Sequence, residues 1–252
     1  MDLSLSFYVV SIIAILITGI SKSGFGGGLG VMAVPIMSLF VAPQFAAAVL
    51  MPVLLAMDVL IAWRYRHQWN RPIVFALLPG ALVGLGIGGV TFQYMHADAI
   101  RFVVGLLALF FVMQFLAQRR QLRVARQTPE IVISFLGGVS GFASFVAHAG
   151  GPPVKGYLLR QKLEKATFVG TNTMYFFTLN ALKTIAYGSA GTLAKESLMI
   201  SLFMTPFLFV GVYAGTWLHR LVDQGSFVKI VYGFLAITAG KLLIDSVPRL
   251  FF

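Results

Sequence analysis

The stretch SKSGFGGGLGVMAVPIM at residues 21–37 interrupts the first long apolar run of the chain, and residues 130–159 contain a related interruption. The second interruption consists of a Ser-Gly pair at 140–141 and the stretch HAGGPP at 148–153. Glycine runs and paired prolines do not sustain a regular helix. Each region is therefore predicted to consist of two short helices that meet at a bend, and the piece after the second bend is a candidate re-entrant hairpin.

The composition around these interruptions is that of a membrane protein. The chain has 252 residues, of which 58% are hydrophobic and 11% charged, and its mean hydropathy is +0.88. A soluble domain is about 25% charged, which argues against a soluble enzyme, a nucleic-acid-binding module or a disordered regulator. Since about 20 apolar residues in a helix cross a bilayer, we predict an all-α polytopic membrane protein with eight to ten membrane segments. The uninterrupted candidate spans are residues 45–63, 72–92, 99–117, 166–187, 197–218 and 227–247.

The net charge of +11 arises from lysine and arginine clusters between the apolar runs. Such clusters mark cytoplasmic loops in membrane proteins, so they indicate topology and not nucleic-acid binding. On this basis the loop 64–71 and the basic linker 119–128 are predicted to be cytoplasmic. Both termini are then periplasmic or extracellular, in a membrane predicted to be a bacterial plasma (inner) membrane. The chain has no cysteine, which excludes disulfides, thiolate catalysis and cysteine-ligated metal.

Three blocks of the sequence recur in the same order. In the first block, Ser23-Gly24-Phe25 recurs as Ser140-Gly141-Phe142. In the second block, Pro79, Gly84 and Gly88 match Pro206, Gly211 and Gly215. In the third block, RFVVGLLA at 101–108 matches KIVYGFLA at 229–236. The repeat divides the chain into a first half, 1–118, the linker, 119–128, and a second half, 129–252. The basic loop 64–71 corresponds to the nearly neutral loop 188–196, so the two halves are predicted to have opposite orientation in the membrane. Inverted repeats with broken or re-entrant helices are the architecture of many secondary transporters.

These blocks resemble a known family of membrane proteins. SGFGGGLGVMAVPIM at 23–37, the alanine-rich segment 46–63 and SGFASFVAHAGGPPVKGYL at 140–158 are similar to the sulfite exporter TauE/SafE family. The resemblance extends from about Phe7 to Leu243. It implies a secondary transporter of small sulfur-containing anions, such as sulfite, sulfonates or related organosulfur compounds, in the cell inner membrane.

The paired interruptions are predicted to form an anion-binding site. An anion at the middle of the membrane has lost its water, and N–H groups at the start of a half-helix replace those hydrogen bonds within a favourable helix dipole. Glycine lets the backbone approach the ligand closely, and asparagine, serine and threonine side chains donate further hydrogen bonds. The candidate binding residues are Lys22, Ser23, Gly24, Gly26, Gly27, Ser140, Gly141, His148, Gly150, Gly151, Asn172 and Thr173, and Asn180 lies close to Asn172 on the same predicted helix.

Ionisable side chains inside apolar segments are costly, so each requires an explanation. Asp58, His148 and Lys183 are predicted to couple transport to a proton or another ion, and histidine suits this role because it changes charge near neutral pH. Structural interpretations stay open beside these functional ones. Lys22 and Lys183 could instead reach a membrane surface, Asp58 could form a structural ion pair, and His148 could be a hydrogen-bonded structural histidine. The asparagines could form interhelical hydrogen bonds, and the glycines could serve close helix packing.

The leading functional hypothesis is a secondary transporter that works by alternating access, and the alternative is a passive anion channel. An enzyme is not expected, because the motifs H-E-x-x-H and G-x-S-x-G are absent. The nucleotide-binding motif G-x-x-x-x-G-K-[ST] is absent as well. No cofactor, no metal and no nucleic acid are expected. The expected partners are the small anionic substrate and the lipid bilayer, and assembly into a homo-oligomer is left open.

Overall fold

The computed structural model describes residues 4–24, 30–118, 128–218 and 224–251. These residues form ten α-helices and one 3₁₀ helix, and they contain no β-strand, which confirms the all-α class. The α-helices are α1 (Leu5–Gly24), α2 (Ala33–Met37), α3 (Pro43–Arg64), α4 (Arg71–Tyr94), α5 (Ala97–Gln118), α6 (Glu130–Ala147), α7 (Gly151–Arg160), α8 (Lys165–Ser189), α9 (Lys195–Leu218) and α10 (Gln224–Phe251), and the 3₁₀ helix is Gly30–Met32.

The helices coincide with the predicted apolar runs. Each uninterrupted run lies within a single helix, namely α3, α4, α5, α8, α9 or α10. Among the described residues, α1, α3, α4, α5, α6 and α9 are long and apolar enough to cross a membrane. α8 and α10 have 25 and 28 residues, or about 37 and 42 Å of helix, which is also sufficient length to cross. The polytopic membrane class is confirmed, while the count of eight to ten segments stays a prediction.

The two interrupted regions contain short helices. α1 ends at Gly24, and α2 has only five residues. α6 ends before His148, which adopts a left-handed conformation with φ of 50° that residues with a Cβ rarely take. α7 then begins at Gly151, with Pro152 and Pro153 in its first turn, where a missing N–H is tolerated. Full crossing of the membrane by these pieces and re-entry on the same side both stay predictions.

α3 lies at the centre of the bundle. Its residues 46–51 are each at most 1% exposed, and it packs against α1, α2, α5, α6, α8 and α9. Pro52 removes one backbone N–H from the middle of this helix. Close to that position the Ser201 hydroxyl donates to the Val49 carbonyl at 2.7 Å, which ties α9 to the centre of α3.

Glycines let two helix pairs approach backbone to backbone. A Cβ on Gly84 of α4 would collide with the Gly138 carbonyl of α6, and a Cβ on Gly215 of α9 would collide with the backbone of Ile20 in α1. Along both pairs the residue numbers rise together from contact to contact, so α4 runs parallel to α6 and α9 runs parallel to α1. The small residues in these segments therefore serve close helix packing.

α3 and α8, which correspond to each other in the predicted repeat, run antiparallel. Asp58 accepts a hydrogen bond from Asn180. Further along the chain, the Asn70 N–H donates to the hydroxyl of Thr171, nearer the start of α8, at 2.9 Å. The loop that follows α3 therefore lies near the beginning of α8, and the loop that follows α8 lies at the opposite end of this helix pair.

α5 and α10, the last helices of the two predicted halves, show the same relation. Phe102 contacts Phe251, whereas Phe115, near the end of α5, stacks on Tyr232 near the start of α10, with ring centroids 4.2 Å apart. Antiparallel packing of corresponding helices is what inverted halves require. The inverted repeat and its boundaries at 1–118, 119–128 and 129–252 stay predictions, and residues 119–127 of the linker lie outside the described residues.

Gly84→Ala is expected to destabilise the protein by about 1–3 kcal/mol, because the added methyl group would overlap the backbone of α6. The matched control is Gly86→Ala on the same helix, where a Cβ meets no atom within 4 Å. Thermal unfolding of the detergent-purified variants measures the effect, and only the first variant should unfold at a lower temperature. Equal melting of the two variants would contradict the α4–α6 contact.

The predicted topology is testable with single cysteines, since the chain has none of its own. His67 and Ala190 are exposed residues in the loops at opposite ends of the α3–α8 pair. With a membrane-impermeant maleimide, Ala190→Cys should react in intact cells, whereas His67→Cys should react only after the membrane is permeabilised. Reaction of both cysteines from the same side would exclude the inverted arrangement.

Candidate functional site

A small cavity lies where the end of α1, the 3₁₀ helix, the α6–α7 bend and the middle of α8 meet. Its volume is about 40 Å³, which is room for roughly three water molecules. The two interrupted regions and α8 thus face one compact space. The polar and charged part of its lining consists of Lys22, Ser144, His148, Asn172 and Asn180, and the larger apolar residues are Val31, Leu54 and Phe176.

Lys22 and Asp58 form an ion pair beside this cavity. The Lys22 ammonium donates to one carboxylate oxygen of Asp58 at 2.5 Å, and the side-chain amide of Asn180 donates to the other carboxylate oxygen. Asp58 is 1% exposed, so its charge is removed from bulk water and the ammonium offsets part of the cost of burying it. The ammonium and the amide that hold this carboxylate are donors of the kind that an oxyanion requires.

His148 and Lys183 form a second polar pair next to the cavity. His148 Nε2 lies 2.9 Å from the Ala47 carbonyl oxygen and carries the proton of that hydrogen bond, because a carbonyl only accepts. The other ring nitrogen, Nδ1, lies 2.7 Å from Lys183 Nζ. Lys183 Nζ also donates to the Ser144 carbonyl at 2.8 Å, and the residue is fully buried. Lys183 therefore points into the protein and not toward a surface.

α8 supplies donors to the end of α6. The last carbonyl groups of a helix have no intrahelical N–H partner. The Phe145 carbonyl accepts from the hydroxyl of Tyr187 in α8 at 2.7 Å. The Ser144 carbonyl accepts from the His148 N–H at 3.1 Å and, as a second donor, from Lys183, one turn before Tyr187 in α8. A cation at the C-terminus of a helix also interacts favourably with the helix dipole. Lys183 thus has a structural role in addition to its contact with His148.

The bend between α6 and α7 brings a helix start to the cavity. The Ser140 hydroxyl donates to the Gly150 carbonyl at 2.7 Å, which closes the bend. Gly151 is the first residue of α7 and lines the cavity, so the positive end of the α7 dipole lies there. Pro152 and Pro153 follow and have no N–H, which reduces the number of backbone donors that need a partner in this turn.

The predicted binding residues that line the cavity are Lys22, His148, Gly151 and Asn172. Ser140 and Gly150 shape the adjacent bend. Gly24 is the last residue of α1. Gly26 and Gly27 lie outside the described residues.

The structure places the remaining predicted binding residues in contacts between helices. The Ser23 hydroxyl donates to the Val212 carbonyl of α9 at 2.9 Å. Gly141 packs directly against the backbone of Ala81 in α4. Thr173 is buried in α8 next to Asn172 but does not line the cavity. Ser23 and Gly141 thus take part in helix packing, and ligand contact by these three residues stays a prediction.

The sequence did not reveal Ser144 or the apolar wall formed by Leu54 and Phe176. Ser144 accepts through its backbone carbonyl, which side-chain patterns do not indicate. Leu54 and Phe176 belong to helices that are rich in apolar residues, so hydrophobicity alone does not separate a cavity wall from the core. The partner of Asp58 was also not identified, because Lys22 lies 36 positions away in the chain.

A comparison with known protein families gives a match over most of the chain. The family model of the sulfite exporter TauE/SafE family matches residues 11–242. Searches of curated proteins and of solved structures gave no match. The matched region begins within α1 and ends within α10, so it includes every residue that lines the cavity.

Lys22→Ala is expected to weaken the binding of a small oxyanion such as methanesulfonate by about tenfold or more, since a charge-assisted hydrogen bond contributes about 1.5–3 kcal/mol. Asn172→Ala removes a neutral donor and should weaken binding about fivefold. The control is Lys241→Ala, because Lys241 is 58% exposed and pairs with Asp245 away from the cavity. Binding is measured by the thermal shift of the purified protein, and unchanged binding by both cavity variants would exclude this site.

Proposed function

The chain belongs to the sulfite exporter TauE/SafE family, and we propose that it is a secondary transporter of small oxyanions, which it binds in the cavity between α1, α6 and α8. The family is one of membrane transporters, so the chain is an integral membrane protein of a transporter class. Sulfite and short sulfonates are the proposed substrates, and alternating access is the proposed mechanism.

The observation that supports this proposal most directly is how the protein binds the carboxylate of Asp58. Lys22 and Asn180 donate to its two oxygens, and both donors also line the cavity. A sulfite or sulfonate group presents negatively charged oxygens of the same kind. In the proposed complex these donors, together with Asn172 and the start of α7, bind the oxygens of the substrate.

The size of the cavity limits the substrate. A volume of about 40 Å³ has room for roughly three water molecules, and a compact ion such as sulfite is close to this size. A sulfonate with a long substituent would require the cavity to open. The apolar side chains of Leu54 and Phe176 offer a surface for a short hydrocarbon group. We therefore expect a preference for sulfite and for the shortest sulfonates.

The charges at the cavity suit an anion. Lys22 and Asp58 balance each other as a pair. The His148–Lys183 contact adds basic groups and no acidic one. A bound monovalent anion therefore meets no uncompensated negative charge and is attracted by the basic groups.

Alternating access requires segments that open the cavity first to one side of the membrane and then to the other. The glycine contacts hold α4 on α6 and α9 on α1, and we assign these pairs to the parts that move as units. The short helices α2 and α7 lie at the two interruptions, and we assign them to the two openings. Inverted halves would make these openings equivalent by symmetry.

The proposed location is a bacterial plasma (inner) membrane with both termini periplasmic. The arginine cluster in the loop 64–71 would then face the cytoplasm, where such clusters are enriched. In this orientation α3 runs from the periplasmic to the cytoplasmic side, and α8 runs back.

Transport in proteoliposomes tests the proposal. Vesicles loaded with unlabelled sulfite should take up labelled sulfite by exchange, and methanesulfonate should compete more strongly than a long-chain sulfonate. Lys22→Ala vesicles should show at least about tenfold slower exchange at low sulfite, in line with the lost ammonium, while Lys241→Ala vesicles should match the wild type. Absence of any sulfite or sulfonate flux would refute the proposal. Flux that follows the membrane potential without exchange would indicate the passive anion channel instead.

A further inference from the structure

His148 and Lys183 are two basic side chains whose nitrogen atoms lie 2.7 Å apart beside the cavity. At this distance one hydrogen atom lies between the two nitrogens, and one of them must present a lone pair. An imidazolium facing an ammonium would place two N–H groups head to head. The pair can therefore carry one positive charge or none, but it cannot carry two.

The other contacts of the pair are compatible with both of these charge states. His148 Nε2 donates to the Ala47 carbonyl whether or not the pair is charged. Lys183 donates to the Ser144 carbonyl, and a neutral amine still has two N–H groups, one for Ser144 and one for His148 Nδ1. Loss of a single proton therefore breaks none of the hydrogen bonds that hold the two side chains.

The protonation of this pair determines the net charge at the cavity. Among the described residues, the charged groups that face it are Lys22 on α1 and Asp58 on α3, which neutralise each other. α7 carries Lys155 further along its length, and α6 carries Glu130 at its far end. With Lys22 and Asp58 balanced, the cavity is neutral when the pair lacks its proton and has a charge of +1 when the proton is present.

A buried positive charge without a counterion is unfavourable, and a bound anion supplies that counterion. Anion binding therefore favours the protonated pair, and by thermodynamic reciprocity the proton favours anion binding by the same factor. Resting on the proposed function, we propose that the His148–Lys183 pair takes up one proton with each monovalent anion and releases it with the anion, so that transport is electroneutral and coupled to the proton gradient. Asp58, which pairs with Lys22, takes no part in the proton transfer of this scheme.

Proton uptake on binding is the direct test. Methanesulfonate stays ionised at neutral pH, so a proton taken up when it is added to purified wild-type protein in weak buffer binds to the protein. At the pH of greatest uptake we expect about one proton for each bound methanesulfonate, as the linkage of one anion to one proton requires. Wild-type protein that binds methanesulfonate without proton uptake would overturn the inference. Failure to bind methanesulfonate together with absence of sulfite exchange would instead refute the proposed function, and the inference with it.

A second variant separates proton coupling from the structural role of Lys183 at the end of α6. Lys183→Arg keeps donors for the Ser144 carbonyl but holds a fixed positive charge. Its uptake driven by an inward proton gradient, divided by its own rate of sulfite exchange, should fall at least about tenfold relative to the wild type, since a fixed charge removes the proton linkage. Lys241→Arg, at an exposed position, is the matched control and should keep both activities. Retention of gradient-driven uptake by Lys183→Arg would show that Lys183 acts only as a helix cap.

Discussion

A helix that ends inside a membrane protein leaves carbonyl oxygens that water cannot reach, and donors for them must come from elsewhere in the chain. The end of α6 creates this requirement at the centre of the bundle. The N–H groups of His148 and Ala149 meet part of it, and α8 adds Tyr187 for the Phe145 carbonyl and Lys183 as a second donor to the Ser144 carbonyl. Because Lys183 is held there, it also contacts His148, and His148 in turn reaches the backbone of α3. The positions of the polar groups beside the cavity thus depend on where α6 ends and on the side chains of α8 that donate to its last carbonyl groups.

Close backbone packing and polar side chains lie between different helices of the bundle. Glycines bring α4 against α6 and α9 against α1, where backbone contacts leave no room for a side chain. The polar side chains are concentrated instead between α1, α3, α8 and the bend after α6. Close-packed pairs are suited to move as rigid bodies, whereas the bend with its left-handed His148 is a point where the chain departs from regular geometry. The same glycine-rich composition therefore supports rigid contacts in one place and an interrupted helix in another.

The sequence predicted the helices better than the site. Helix positions follow from runs of apolar residues long enough to cross a bilayer, and the uninterrupted runs all appear as helices. The paired interruptions predicted that these segments come together, and Lys22, His148 and Gly151 do line one cavity. The pattern could not distinguish Gly141, which packs against α4, because glycine serves packing and ligand approach equally well.

The partners of the charged residues could not be predicted in the same way. Asp58 lies near Arg64 in sequence, yet it pairs with Lys22 from another helix. Such pairs depend on which helices become neighbours, and local periodicity contains no information about that. Family resemblance and composition therefore indicated the class of the protein, while the hydrogen bonds around Lys183 and Asp58 required the folded structure.

The pairing of α1 with α9 also has a consequence for how the protein is made. α1 precedes its packing partner by about 190 residues, which corresponds to roughly ten to forty seconds of synthesis at typical rates. During that interval the glycine-bearing face of α1 is covered by lipid or by the insertion machinery. Insertion and final packing are therefore separate events for this helix, and its contact with α9 forms only after the helices between them have been synthesised.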